Sequence, residues 1–184
     1  MDLRAKVQGL KMHELMRLLE STERMDGCAA EFGVAHGGTL QRMARAFPSR
    51  MFYGFDTFTG LPAEKRREGE SAAGIFGVDD AEFRAMKLAM PANVTLVRGL
   101  FPDSADGFDP DLRFCFVHLD FDYYQSTMDV LHWLRFRMVP DGIIVFDDWM
   151  KEGCMGVTEA VKELGLEVTE TTRTQCYWRN DGRW

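Results

Sequence analysis

Carboxylates recur just past the apolar runs of this sequence. Asp56 follows Phe52-Tyr53-Gly54-Phe55, Asp120 and Asp122 follow Phe116-Val117-His118-Leu119, and Asp147 and Asp148 follow Ile143-Ile144-Val145-Phe146. A single aspartate after a strand is ordinary, because Asp favours turns. Several gathered on one edge would repel each other unless a cation or ligand hydroxyls sat among them. Asp120, Asp147 and Asp148 offer the oxygen donors that a hard divalent cation such as magnesium takes. The competing reading is that Asp147 and Asp148 cap the helix behind them.

Glycines mark the remaining run ends: Gly99 after Val94-Thr95-Leu96-Val97, and Gly33 and Gly37 in Glu31-Phe-Gly-Val-Ala-His-Gly-Gly-Thr39. Gly33 and Gly37 would let a ligand approach the backbone, and a helix from Thr39 would aim free N–H groups at an anion. Asp56, about 20 residues further on, is placed to accept hydrogen bonds from ribose hydroxyls. That pairing fits a nucleoside-bearing cofactor without naming it. A dinucleotide site wants G-x-G-x-x-G, whereas Glu31-x-Gly33-x-x-x-Gly37 lacks the middle glycine that admits a pyrophosphate. The spacing suits S-adenosylmethionine (SAM), which ends in a carboxylate and an ammonium and carries no phosphate. His36 in this loop and His118, two residues before Asp120, both titrate near neutral pH when unperturbed. A histidine inside a strand is more often a core residue, so His118 reads as structural. His36 at the mouth of the site, Asp120 and Asp122 are the candidates for moving a proton.

The elements that must position these groups alternate. Strand-like runs at 28–34, 51–55, 94–97, 114–119 and 143–146 are separated by helix-compatible stretches, and a closing pair of strands is expected at 166–169 and 175–178. Strands alternating with helices give an α/β fold, a parallel sheet with helices on both faces, whose ligands sit beyond the carboxyl ends of the strands. We expect one domain over 1–184, with an N-terminal helical segment at 1–25. The polar, glycine-bearing stretch around 60–78 reads equally as a mobile active-site loop or a disordered insertion. At 184 residues, 46% hydrophobic and 28% charged, the composition is that of a folded domain, and a net charge of -7 argues against a nucleic-acid partner. Cys28, Cys115, Cys154 and Cys176 form no C-x-x-C pair, which fits reduced thiols and a cytoplasmic protein. No apolar stretch approaches membrane-spanning length, and the N-terminal residues lack the apolar core of a signal peptide.

The stretches "AEFGVAHGGTL", "YGFDTFTGLP", "NVTLVRGLF", "FVHLDFDYYQST" and "IIVFDDW" resemble, in order and spacing, the macrocin O-methyltransferase family of class I SAM-dependent methyltransferases. The resemblance spans roughly residues 28 to 178. It implies a Rossmann-like, mostly parallel seven-stranded sheet, SAM, a divalent metal (usually magnesium), and methylation of a hydroxyl on a small molecule, often a sugar or glycoside. Matched position by position, Glu31, Gly33, Gly37 and Thr39 fall in the cofactor loop. Asp56 is the ribose acid, with Thr57 and Phe58 beside it and Phe58 near the adenine. Gly99 and Asp120 complete the cofactor contacts, and Asp120, Asp122, Tyr124, Ser126 and Thr127 match D-x-D-x-Y-x-S-T. Asp120, Asp147 and Asp148 would hold the metal. The competing functions are methylation of an amine, disfavoured because no N-P-P-Y-like stretch follows the fourth strand, and cofactor binding without turnover. The partners expected are a small-molecule acceptor and neither nucleic acid nor membrane, and the apolar first helix is compatible with a homodimer.

Overall fold

A computed structural model describes residues 3–184, and within them a seven-stranded sheet runs in the order β3-β2-β1-β4-β5-β7-β6. The first five strands are parallel: β1 (Cys28–Phe32), β2 (Phe52–Asp56), β3 (Val94–Arg98), β4 (Phe114–Leu119) and β5 (Met138–Phe146). A hairpin of β6 (Thr169–Thr172) and β7 (Gln175–Arg179) closes the sheet, with β7 antiparallel to β5. The chain order reverses between β1 and β4, which creates the crevice where open α/β sheets bind ligands.

Alternation along each strand sorts side chains to the two faces. Ala30, Phe32, Val117, Leu119, Ile144 and Phe146 face α4 (Tyr124–Leu134) and α5 (Met155–Glu163), whose Val130, Leu131, Val157 and Val161 complete that core. Ala29, Phe52, Phe116, Ile143 and Val145 face α1 (Leu3–Glu20) and α2 (Gly38–Ala46) through Leu15, Leu18, Leu19, Leu40 and Met43. The same alternation sends Glu31 and His118 to the α1–α2 face as register partners, where both are buried. Two ionisable groups thus sit inside an apolar layer. They must satisfy each other or something beyond them.

Several boundaries differ from the sequence expectations. β1 stops at Phe32 because Gly33 turns to φ +88°. α4 ends at Leu134, and β5 begins earlier than its apolar run, taking in Pro140 and Asp141. The penultimate strand lies at 169–172 rather than 166–169. The 60–78 stretch is packed against the rest of the chain. Lys65 pairs with Asp129 at 2.6 Å, the Ser71 amide donates to the Gly153 carbonyl at 2.9 Å, and α3 (Asp80–Ala89) follows behind an Asp79/Glu82 capping box. All four cysteines are free thiols. Among the described residues no helix is long and apolar enough to cross a membrane.

Candidate active site

A cavity of about 620 Å³ opens along the carboxyl ends of the parallel strands. One end is formed by Gly33, Asp56, Thr57, Gly99 and Phe101, and the other by Asp120, Asp122, Asp147, Asp148, Ser126 and Lys151. Its volume falls in the range of small-molecule and cofactor sites.

At the first end, Asp56 organises the glycine turn. Its Oδ2 accepts the amides of Val34 and Ala35 at 2.7 and 2.8 Å, and its Oδ1 accepts the Phe58 amide at 2.6 Å. A carboxylate has about four acceptor positions; among the described residues only the Thr57 hydroxyl approaches beyond the three amides, at 3.5 Å, and Asp56 lines the cavity. Gly33 is required by close packing: a Cβ there would lie 2.0 Å from the Asp120 carbonyl oxygen. Gly37 has a different reason. It stands at φ +76° at the start of α2, and a Cβ would run into Met90 Cε at 2.4 Å and Met86 Sδ at 2.8 Å.

The second end is an acidic cluster with built-in counter-ions. Oxygens of Asp120, Asp147 and Asp148 lie within 4.8 Å of one another. His118 stands behind them, its Nδ1 2.8 Å from Glu31 Oε1 and its Nε2 3.9 Å from Asp147 Oδ1. Burial works to lower the His118 pKa, but the carboxylates on either side outweigh it and raise the imidazole to about 10. His118 is therefore a buried imidazolium at neutral pH. Burial would raise Asp147 in turn, but His118 and Lys11 hold it down at about 2. The Lys11 ammonium, from α1, reaches Asp147 Oδ2 at 2.7 Å, while Gln175 Nε2 donates to Asp147 Oδ1 at 3.0 Å. Asp120 opens to the cavity, yet loss of water around it and the neighbouring Asp147 charge raise it to about 7. Asp148 is pushed well up by burial and by the charge of Asp120. Its Oδ1 accepts from Lys151 Nζ at 2.6 Å, whereas its buried Oδ2 has no protein partner. Three hard oxygen donors within reach of one point, with one buried acceptor unmatched, fit a divalent cation.

Asp122 stands beside this cluster in the left-handed region, at φ +63°. Its Oδ1 accepts from Cys154 Sγ at 2.8 Å and lies 3.5 Å from Lys151 Nζ. Hence it lines the cavity as a carboxylate braced from behind.

Other expected contacts fall outside the cavity. Phe58 is fully buried with its ring 4.7 Å from that of Phe83, a core residue rather than a wall of the adenine site. Glu31 is buried behind the cavity, occupied by His118. His36 is exposed, and Thr39 is half-buried in the first turn of α2; neither lines the cavity. Gly37 packs against Met86 and Met90 and does not line the cavity. Tyr124, Thr127 and Tyr123 point into protein: the Tyr124 hydroxyl donates to Glu163 at 2.7 Å, Thr127 Oγ1 to the Tyr123 carbonyl at 2.8 Å, and the Tyr123 hydroxyl to the Ser71 carbonyl at 2.9 Å. Lys11, Lys151 and Gln175 escaped the sequence reading. Only Lys151, three residues after Asp148, gives a local signal; Lys11 lies 136 positions from Asp147.

The family model of macrocin-O-methyltransferase (TylF) matches residues 7–180 of the chain. The 8-demethyl-8-(2,3-dimethoxy-alpha-L-rhamnosyl)-tetracenomycin-C 4'-O-methyltransferase of Streptomyces olivaceus is 25% identical over 194 residues, covering 94% of this chain and 74% of that protein. The crystal structure of the calicheamicin methyltransferase CalS11 superposes with a TM-score of 0.80 at 21% identity, over 94% of this chain and 79% of that one. The O-methyltransferase NovP gives 0.76 at 23% identity, over 93% and 79%. At these identities the two structures speak to the fold alone, which they share with this chain.

Proposed function

The chain belongs to the macrocin O-methyltransferase family and is a SAM-dependent O-methyltransferase, and from that premise we propose that its acceptor is a hydroxyl of a 6-deoxysugar glycoside, methylated with the help of a divalent ion. The observation that carries the reading is the cavity itself. One wall holds Asp56 and Gly99, the other the Asp120, Asp147 and Asp148 cluster, so a nucleoside and an acceptor hydroxyl share a single space. The sugar rests on the Streptomyces olivaceus relative, whose name places its methyl group on a rhamnosyl-bearing molecule.

In this reading Asp56 accepts from the ribose and keeps the 33–35 turn in place, and Gly33 and Gly99 leave room for the cofactor. SAM carries the methyl group as a sulfonium, and a divalent ion supplies Lewis acidity toward the acceptor oxygen. Asp120, Asp147 and Asp148 would hold that ion, with Asp148 Oδ2 the unmatched donor. Lys11 and Gln175 fix Asp147, so the acidic cluster is oriented before anything binds. Asp122 is the group placed to take the hydroxyl proton as the new C–O bond forms and the S–C bond breaks. Lys151 and Cys154 hold its carboxylate toward the cavity. His36 has no part in this scheme, since it lies outside the cavity. Incubation with SAM, magnesium and a panel of rhamnosides, followed by mass spectrometry, tests the assignment. A methylated rhamnoside is expected, while methylation of amine acceptors alone would refute it.

A further inference from the structure

Glu70 is a buried carboxylate in the middle of the 60–78 segment, far in sequence from every strand end. Its Oε2 accepts the Arg67 amide at 2.6 Å, which closes a turn within the segment. Its Oε1 accepts the Tyr124 amide at 2.8 Å, across 54 positions of sequence. Tyr124 opens α4, and the N-cap residue Tyr123 offers no side-chain acceptor of its own. An acid from another part of the chain therefore caps this helix, where both the free N–H and the helix dipole favour negative charge. The same Oε1 fits against α5 because residue 156 is glycine: a Cβ there would lie 2.2 Å from it. Glu70 is wedged between the beginnings of α4 and α5.

Those two helix starts carry the cavity's acidic wall. Asp122 immediately precedes the α4 cap, and Cys154, which donates to Asp122, is the N-cap residue of α5. Asp122 also occupies a left-handed conformation, which aspartate tolerates better than most residues but which fixes where its side chain can point. We propose that Glu70 is a positioning residue: it locks the first turn of α4 against α5, and thereby sets Asp122 at the cavity wall. The rest of the segment supports the lock. Arg66 donates to the carbonyls of Glu70 and Ser71, the Arg67 guanidinium lies 3.3 Å from the Tyr124 ring centroid, and Tyr123 donates to Ser71. This inference rests on the reading of the cavity as the methyl-transfer site.

Glu70→Ala and Glu70→Gln test it. Lys65-Arg66-Arg67 is a run of trypsin sites now tied down by these contacts, so Glu70→Ala is expected to be cut there at least ~10-fold faster while the remaining domain resists. In methyl transfer to a rhamnoside, kcat of Glu70→Ala is expected to fall by ~10²-fold, the cost of a misplacement of ~1 Å at a reacting centre. Its Kd for SAM should stay within about twofold, because Asp56 and Gly99 lie at the other end of the cavity. Glu70→Gln keeps an oxygen for the Tyr124 amide and should recover most of kcat. An unchanged kcat in folded Glu70→Ala overturns the proposal, as does a loss of SAM affinity in step with kcat, which would mean general loosening. If the wild-type chain methylates no rhamnoside, the sugar assignment fails by itself. The lock is then decided by proteolysis, and equal cleavage of wild type and Glu70→Ala overturns it.

Discussion

His118 is held as a cation by Glu31 on one side and Asp147 on the other, in a layer otherwise made of apolar side chains such as Leu15, Leu40, Phe116 and Val145. Removing it by His118→Gln leaves Glu31 buried without its counter-charge and Asp147 with Lys11 alone, and breaking such a buried pair costs ~3–5 kcal/mol. The pH dependence has a definite sign. The imidazole is raised from 6.5 to about 10 on folding, so its stabilisation is fully present below pH 6.5 and is lost as pH rises toward 10. Denaturant melts of wild type and His118→Gln should therefore differ most near pH 6 and converge near pH 10. A constant difference across that range would show that the ring acts only by filling space. Asp56 presents the contrasting case, a carboxylate open to a ligand yet bonded to three backbone amides. Asp56→Ala removes both the acceptor and the clamp on the 34–35 turn. Hydrogen bonds to charged groups contribute ~1.5–3 kcal/mol each, so the Kd for SAM should rise by more than ~10-fold. Titration calorimetry showing an unchanged Kd in a folded variant would place the cofactor elsewhere.

The glycine turn between β1 and α2 separates two needs that look alike in sequence. Gly33 abuts the Asp120 backbone and lines the cavity, whereas Gly37 abuts flexible methionine ends outside it. Gly37→Ala should cost ~1–2 kcal/mol, the penalty of left-handed backbone for a residue with a Cβ. It should leave the SAM Kd within about threefold, while Gly33→Ala, forced against backbone, should lose SAM binding. Equal losses of binding in the two variants would mean that both glycines touch the cofactor. Such distinctions mark where sequence reading stops. The buried strands β2, β4 and β5 were legible because strands covered on both faces read as continuous apolar runs. Thr169-Glu170-Thr171-Thr172 carries no such run, and Pro140 and Asp141 disguise the start of β5, so those edges were misplaced. The strand-end acids were legible for the same reason as the strands. Lys11, Glu70 and Gln175 were not, since each meets its partner only through tertiary packing. Phe58 misled because an aromatic after Asp56 looks the same whether it faces a ligand or Phe83.

Across the whole molecule 29 Asp and Glu stand against 22 Lys and Arg, and Asp120, Asp122, Asp147 and Asp148 meet at one edge of the sheet. There five parallel strands end, and α1, the β6–β7 hairpin and the loop after β5 each bring one side chain to the cluster: Lys11, Gln175 and Lys151. The two lysines and His118 balance the carboxylates that a divalent ion would share. The cofactor end adjoins this edge, since Gly33 after β1 packs against the Asp120 backbone after the neighbouring β4. SAM binding is expected to need no metal, whereas methyl transfer is expected to need it. The measurement that decides it is transfer of a labelled methyl group from SAM to a rhamnoside, with and without excess EDTA, beside calorimetric titration of SAM under both conditions. EDTA is expected to abolish transfer and added magnesium to restore it, while Asp147→Ala stays inactive and the SAM Kd barely changes throughout. Undiminished transfer in excess EDTA would contradict this.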